Sequence, residues 1–155
     1  MPIQKITPFL WFDHQAEEAA AFYTSIFPNS KVDKVIRYGE AGPGPAGSAM
    51  TVEFQLEGQS FVALNGGPHF KFTEAISFVV NCQTQEEIDD YFEKLSAGGS
   101  EIECGWLKDK FGLSWQIVPT ILPDLLSDRD PEKARRVMQA ILKMKRLDIR
   151  ALKQA

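Results

Sequence analysis

The stretch TPFLWFDHQAEEAAAFY (7–23) begins with apolar and β-branched residues and continues into an alanine-rich segment. Its first part predicts a strand over 3–12 with both faces covered, because the apolar residues there alternate poorly. Asp13 occupies the expected N-cap position, and the apolar residues of 15–27 recur on one helical face. The stretch therefore predicts a strand followed directly by a helix.

Three more strands are predicted after this helix, at 31–38, 48–56 and 59–65. The middle one alternates cleanly between apolar and polar residues, as a half-buried strand does. A loop with four glycines, 39–47, separates the first of these strands from the second. The predicted order of this first module is βαβββ.

The same order begins again near residue 74. A β-rich run over 74–81 precedes Thr84, which is positioned to cap a helix over 85–97. Two further strands are predicted, at 100–107 and 114–119. Phe9 corresponds to Ile76 at an offset of 67, and Phe22-Tyr23 correspond to Tyr91-Phe92 at an offset of 69. A diverged internal repeat is therefore expected, and the fold class is α+β with two βαβββ modules.

The remaining residues predict a helical tail over 124–155. Asp130-Pro131 has the form of an N-cap followed by proline, and apolar residues then recur at helical spacing. Residues 131–155 contain eight basic and two acidic residues, whereas the whole chain has a net charge of −4. Such a tail either binds nucleic acid or an anionic membrane, or lies on its own acidic body or a partner subunit. The amphipathic pattern favours the second interpretation, so nucleic acid is not expected as a partner.

Length and composition restrict the class of protein. A chain of 155 residues fits a single domain, 1–155, with module one at 1–67 and module two at 72–120. No segment approaches the roughly 18 apolar residues of a membrane span. The opening residues MPIQKITPF lack the charge and apolar pattern of a secretion signal. Two cysteines form no disulfide framework, so a cytoplasmic location is expected.

Four further stretches bear a family likeness: VALNGGPHFKF (62–72), EAISFVV (74–80), GWLKDKFGLSWQIVP (105–119) and the tail from residue 131. Together with 7–23 they resemble the PhnB-like branch of the vicinal oxygen chelate superfamily, which includes glyoxalase I and bleomycin-resistance proteins. Members of this branch often carry the label 3-demethylubiquinone-9 3-methyltransferase. The resemblance implies curved mixed sheets around a cavity, and a homodimer whose modules pair within or between subunits.

Enzymes of that superfamily typically hold a divalent metal with one ligand from each of four strands. The resemblance places these positions at Pro8, at Leu64 or Asn65, at Ala75 and at Gln116. Proline and alanine side chains have no donor atom, and a divalent cation needs several converging donors. We therefore expect neither a metal nor another cofactor.

The segment GPGPAG (42–47) satisfies the pattern G-x-G-x-x-G of dinucleotide-binding loops. That pattern binds phosphate only between a strand and a helix, with backbone N–H groups directed at the ligand. Here Pro43 and Pro45 lack backbone N–H groups, and a strand follows. A hairpin loop is expected, and no motif in the chain supports methyl transfer.

Two-residue periodicity assigns side chains to the expected cavity. If Pro8 faces it, Leu10 and Phe12 follow and Trp11 packs under the helix. If Ala75 and Gln116 face it, Ser77 does so too, and His69 lies in the loop joining the modules. The predicted ligand-binding residues are neutral polar or flat apolar side chains: Leu10, Phe12, Asn65, His69, Ser77, Trp106 and Gln116.

These side chains predict a protein that binds a small, largely neutral or aromatic organic molecule without a metal. Three alternatives remain open. The first is a metal-dependent lyase, isomerase or dioxygenase with His69, Gln116 and Asn65 as non-standard ligands. The second is a demethylubiquinone-type methyltransferase, as the family label implies. The third is an interaction protein that acts through the basic tail.

Overall fold

The computed structural model describes residues 3–155. The chain divides into two compact units, one ending at Lys71 and the other beginning at Phe72. The elements of the first unit are β1 (Phe9–Phe12), α1 (Ala16–Ile26), β2 (Lys31–Arg37), β3 (Ala49–Leu56) and β4 (Gln59–Asn65). Those of the second are β5 (Ser77–Cys82), α2 (Gln85–Ser96), β6 (Ser100–Glu101), β7 (Trp106–Lys108), β8 (Ser114–Pro119), α3 (Leu122–Leu126), α4 (Pro131–Ile141) and α5 (Ile149–Gln154).

The two sheets share one topology. Their strand orders are β1-β4-β3-β2 and β5-β8-β7-β6. In each, the first strand runs parallel to the last strand of its module and the other pairings are antiparallel. The predicted α+β class with a repeated βαβββ module is therefore confirmed. None of the helices within residues 3–155 is long and apolar enough to cross a membrane.

The start of the first unit differs from the prediction. Strand β1 covers four residues, Phe9–Phe12, and the N-cap of α1 is Gln15, so Asp13 was the wrong cap residue. The Gln15 side chain makes no capping bond; instead the Ala16 N–H donates to Oδ1 of Asn65 at 2.8 Å. A helix end satisfied by a residue 49 positions away has no local sequence signal.

The core of the first unit lies between α1 and its sheet. Tyr23 is fully buried and stacks on Phe54 at 6.2 Å between ring centroids, and Phe54 stacks on Phe61 at 5.4 Å. Buried alanines on α1 let the helix approach the strands closely. The side of the sheet that bears Phe54 and Phe61 is therefore the helix side.

Strand pairing places Leu10 and Phe12 on this helix side. Leu10 pairs with Ala63, two residues beyond Phe61, and Phe12 pairs with Asn65. The prediction that Leu10 and Phe12 point away from the helix was therefore wrong. Trp11 lies on the opposite side of the sheet instead of under the helix.

The error comes from taking Pro8 to face the cavity, and the repeat offset read from the sequence also differs from the one in the structure. The Phe12 carbonyl accepts a hydrogen bond from the N–H of Gly66, and the Cys82 carbonyl accepts one from Thr120. Phe12 and Cys82 thus occupy equivalent positions, which gives an offset of 70 where the sequence comparison used 67. A shift of three residues is odd, so it reverses every side chain in a strand.

The second unit begins as predicted. Thr84 caps α2 by accepting a hydrogen bond from the Glu87 N–H, and the Glu87 carboxylate accepts one from the Gln83 N–H. These two hydrogen bonds satisfy one N–H in the first helical turn and one just before the helix. The single strand predicted over 100–107 is divided, however, because a turn at 102–105 separates β6 from β7.

The helical tail packs on the second unit. Val137, Ile141, Leu147 and Leu152 form a buried apolar cluster. Gln85 at the start of α2 donates to the Leu147 carbonyl and accepts from the Ile149 N–H. Arg146 lies 3.4 Å from the carboxylate of Asp89, which is a contact between the basic tail and the acidic body. The tail is therefore part of a folded unit.

Candidate functional site

The sheet of the second unit presents one side to α2 and another away from it, here called the distal face. Helix α2 packs against β7 and β8, and the buried Trp115 and Ile117 of β8 alternate with Gln116. Gln116 pairs with Val79 on one side and with Trp106 on the other. The distal face consists of Ser77, Val79, Asn81, Trp106, Lys108, Ser114, Gln116 and Val118. It thus brings together three predicted site residues: Ser77, Trp106 and Gln116.

A polar pair lies at the centre of the distal face. The side-chain amide nitrogen of Gln116 donates to the hydroxyl oxygen of Ser77 at 2.8 Å. Neither side chain has another hydrogen-bond partner within residues 3–155. The Ser77 hydroxyl hydrogen and the Gln116 carbonyl oxygen therefore remain available, one as a donor and the other as an acceptor.

Apolar and charged groups flank this pair. Val79 is 48% exposed and Trp106 is half-buried, so both offer apolar surface beside Gln116. Lys108 forms an ion pair with Glu74. The hydrogen bond from Lys108 lowers the pKa of Glu74, with smaller contributions from a backbone hydrogen bond and from the lysine charge. The distal face therefore combines neutral hydrogen-bonding groups, an aromatic side chain and a neutralised charge pair.

A buried carboxylate holds the turn between β7 and β8. Asp109 is 2% exposed; its Oδ1 accepts from the N–H groups of Phe111 and Leu113, and its Oδ2 accepts from the indole N–H of Trp115. Trp115 follows Ser114 and precedes Gln116, so this network fixes the strand that bears the polar pair. The sequence analysis missed Asp109, although an aspartate followed three residues later by glycine is a turn signal.

Two other predicted residues lie in the first unit. Asn65 and His69 line one cavity of about 610 Å³. The Asn65 side chain is already engaged, because its oxygen accepts from Ala16 and its nitrogen donates to the Ala49 carbonyl at 3.1 Å. The Tyr38 hydroxyl donates to the Asn65 backbone carbonyl at 2.6 Å. Asn65 thus joins β4 to α1 and β3, and His69 is the exposed residue of the two.

The GPGPAG segment also lines this cavity, and its glycines have a packing role. A Cβ atom on Gly42 would lie 2.7 Å from the Tyr38 ring, and one on Gly44 would clash with the same ring. Because strand β3 follows the loop, no helix N-terminus is present there to bind phosphate. The glycines let the loop close around Tyr38.

The residues at the four expected metal-ligand positions do not fit a metal. Pro8 and Ala75 have no side-chain donor, and Leu64, which lies on the side of the first sheet away from α1, has none either. Asn65 lies on the helix side, where its amide is engaged. Within residues 3–155 no group of three or more His, Cys, Asp or Glu side chains is placed to hold a metal ion. Gln116 is the one position of the four with an available donor atom.

Comparison with known proteins identifies the family. The sequence profile described as 3-demethylubiquinone-9 3-methyltransferase matches residues 4–118. A solved structure of a putative 3-demethylubiquinone-9 3-methyltransferase, PhnB protein, from Bacillus cereus is 42% identical, covering 76% of this chain and 100% of its own, with a TM-score of 0.69. No curated protein matches the chain.

More distant structures share the fold alone. A protein from Pseudomonas aeruginosa is 20% identical over 76% of this chain and 98% of its own, with a TM-score of 0.62. The fosfomycin resistance protein FosX from Listeria monocytogenes is 18% identical over 83% of this chain and 100% of its own, with a TM-score of 0.58. On this evidence the chain belongs to the 3-demethylubiquinone-9 3-methyltransferase family, the PhnB-like branch of the vicinal oxygen chelate superfamily.

Proposed function

We propose that the chain binds a small, largely neutral or aromatic organic molecule on the distal face of its second sheet. The observation that supports this most directly is the Gln116–Ser77 hydrogen bond of 2.8 Å beside the half-buried Trp106. This bond fixes the direction of both side chains, so their remaining donor and acceptor are oriented before a ligand arrives. Pre-oriented polar groups among apolar surface are typical of small-molecule sites.

The chemistry of the face defines the ligand. The Gln116 oxygen accepts a ligand N–H or O–H, and the Ser77 hydroxyl donates to a ligand carbonyl or ether oxygen. Trp106 and Val79 favour a flat apolar body. Because Lys108 is paired with Glu74, the face offers no free charge to an ionic ligand at that position. A neutral aromatic carbonyl compound is the simplest molecule that meets these conditions.

Binding in this proposal needs no metal, since only Gln116 among the four expected ligand positions has a donor available. Methyl transfer is the activity in the family description, but no motif of this chain supports it. The glycine-rich segment packs on Tyr38 instead of forming a cofactor-binding loop. We further propose a homodimer and a cavity formed by curved sheets, as the resemblance implies, and a cytoplasmic location, on the ground of the two cysteines. Static light scattering tests the dimer.

A thermal-shift screen with neutral aromatic fragments, run with EDTA present, tests the proposal. We expect some of these fragments to raise the melting temperature, because a ligand that binds only the folded protein stabilises it. Gln116→Ala and Ser77→Ala should each lower the affinity for these fragments by about tenfold, the loss expected for one or two hydrogen bonds. Gln59→Ala, at an exposed position in β4, is the matched control and should leave binding unchanged. The proposal is overturned if no fragment binds, or if all three variants bind equally well.

A further inference from the structure

A second candidate site lies in the first unit. A cavity of about 500 Å³ is lined by the segment before β1 and by strands β2, β3 and β4. This volume is in the range of small-molecule pockets, about 300–1,000 Å³. Its lining contains two lysines and two acidic residues: Lys31, Lys34, Asp33 and Glu53. The lining therefore carries two positive and two negative charges, whereas the polar pair of the second unit is uncharged.

Two of the four charged groups form no ion pair within the described part of the chain. Lys31 lies 3.7 Å from the Asp33 carboxylate. Lys34 and Glu53 are directly opposite each other on β2 and β3, an arrangement in which opposite charges usually pair. Neither forms an ion pair with any residue of 3–155. One ammonium and one carboxylate therefore line the cavity without a counter-ion from residues 3–155.

A buried amide adds a third group. Gln55 is 8% exposed and lines the same cavity. Its nitrogen donates to both carboxylate oxygens of Asp33, at 3.1 and 2.9 Å, which fixes the orientation of the amide. Its oxygen accepts no hydrogen bond from the described residues. This oxygen stays accessible to solvent, since Ser114 Oγ is the one buried side-chain N or O atom of residues 3–155 that lacks a partner, so a ligand N–H can reach it.

We propose that this cavity binds a small zwitterion of the free α-amino acid class. The ligand carboxylate pairs with the Lys34 ammonium, and the ligand ammonium pairs with the Glu53 carboxylate and donates to the Gln55 oxygen. A neutral molecule would leave both protein charges unpaired, and a singly charged one would leave one of them unpaired. The cavity belongs to the first unit and the distal face to the second, so the cavity adds a second ligand to the proposed function.

The test is a titration of the ¹⁵N-labelled full chain with the proteinogenic amino acids at millimolar concentration, followed by amide chemical shifts. We expect at least one amino acid to shift the amides of Glu53 and Gln55 and to leave Ser77 and Gln116 unchanged. Its N-acetyl derivative lacks the ammonium, and its carboxamide lacks the carboxylate. Each derivative should therefore bind about tenfold or more weakly.

Variants complete the test. Glu53→Gln and Lys34→Gln should each lower the affinity for the amino acid by about tenfold, because each leaves one charge of the ligand unpaired. Glu40→Gln and Lys71→Gln remove the same charges at exposed positions outside the cavity and should bind as the wild type does. The proposal is overturned if no amino acid shifts these amides, if the blocked derivatives bind equally well, or if the cavity variants match their controls.

Discussion

The indole N–H of Trp115 donates a hydrogen bond of 2.9 Å to Oδ2 of Asp109, and the two residues are only 4% and 2% exposed. The other oxygen of the same carboxylate accepts from two backbone N–H groups of the turn. Hydrogen bonds to an ionised carboxylate are stronger than neutral ones. Asp109 therefore joins the β7–β8 turn to the strand that bears Gln116, so it supports the distal face without being part of it.

Replacing Asp109 with asparagine should destabilise the second unit. An asparagine has one acceptor oxygen, so its NH₂ group would face either the indole N–H of Trp115 or the backbone N–H groups. Two donors would then point at each other and a hydrogen bond would be lost. We expect Asp109→Asn to lower the free energy of unfolding by about 1–3 kcal/mol in urea titrations. Asp90→Asn removes an exposed ion pair with Lys94 and should cost less than about 1 kcal/mol. Equal losses for the two variants would contradict the role assigned to Asp109.

Packing of the glycine-rich loop on Tyr38 gives a second prediction. A methyl group at Gly44 would clash with the Tyr38 ring, whose hydroxyl is hydrogen-bonded to the Asn65 carbonyl. Gly44→Ala should therefore lower the free energy of unfolding by about 1–3 kcal/mol, the usual cost of overpacking. Gly39→Ala is the matched control, since nothing lies within 4 Å of its Cβ position. A Gly44→Ala variant as stable as Gly39→Ala would show that the ring moves aside freely.

The sequence predicted those parts of the fold that depend on local signals. Thr84 caps α2 and Asp130-Pro131 starts α4, as expected, because such caps act over two or three residues. The cap of α1 was missed because Asn65 reaches it from β4. Leu10 and Phe12 were assigned to the wrong side because Pro8 was taken to face the cavity. The pairing of β1 with β4 decides the side, and an error of one residue in the starting position reverses the alternation.

The candidate site was predictable where one strand sufficed. Alternation along β8 separated Gln116 from Trp115, and alternation from Ala75 gave Ser77 the same side, where the β5–β8 pairing also puts it. The Glu74–Lys108 ion pair and the unpaired charges of Lys34 and Glu53 depend on registers between strands. Registers are decided by packing and turn geometry across the sheet, so a single sequence pattern does not determine them.

The tail should behave as part of the second unit's core. Leu152 is fully buried in the apolar cluster, whereas Leu142 at the end of α4 is 62% exposed. Leu152→Ala should lower the free energy of unfolding by about 2–5 kcal/mol, the range for truncating a buried leucine. Leu142→Ala should change it by no more than about 0.5 kcal/mol. If chemical denaturation gives equal values, the tail is instead a weakly attached arm.

The two cysteines should differ in reactivity. Cys82 is fully buried, and burial, with a smaller effect of the Glu87 charge, raises its pKa to about 12. Iodoacetamide at pH 8 should therefore modify the half-buried Cys104 first and Cys82 only in urea, as mass spectrometry of peptides would show. Equal modification of both cysteines in the native protein would contradict this.

The same raised pKa predicts a pH dependence of stability. The pKa of Cys82 is about 8.5 in the unfolded chain and about 12 in the folded chain, so the folded chain keeps the thiol proton to higher pH. The contribution of Cys82 to stability should therefore fall as pH rises through this window. Urea titrations of wild type and Cys82→Ala across the window would measure it, and identical slopes would contradict the expectation.

The most direct test of the account is the position of the small-molecule site. A fragment from the screen, titrated into ¹⁵N-labelled protein, should shift the side-chain amide resonances of Gln116, the backbone amide of Ser77 and the indole N–H of Trp106. These three groups belong to the distal face, and the shifts should saturate with a single dissociation constant. Shifts confined to other residues, with Gln116, Ser77 and Trp106 unchanged at saturation, would contradict the central claim.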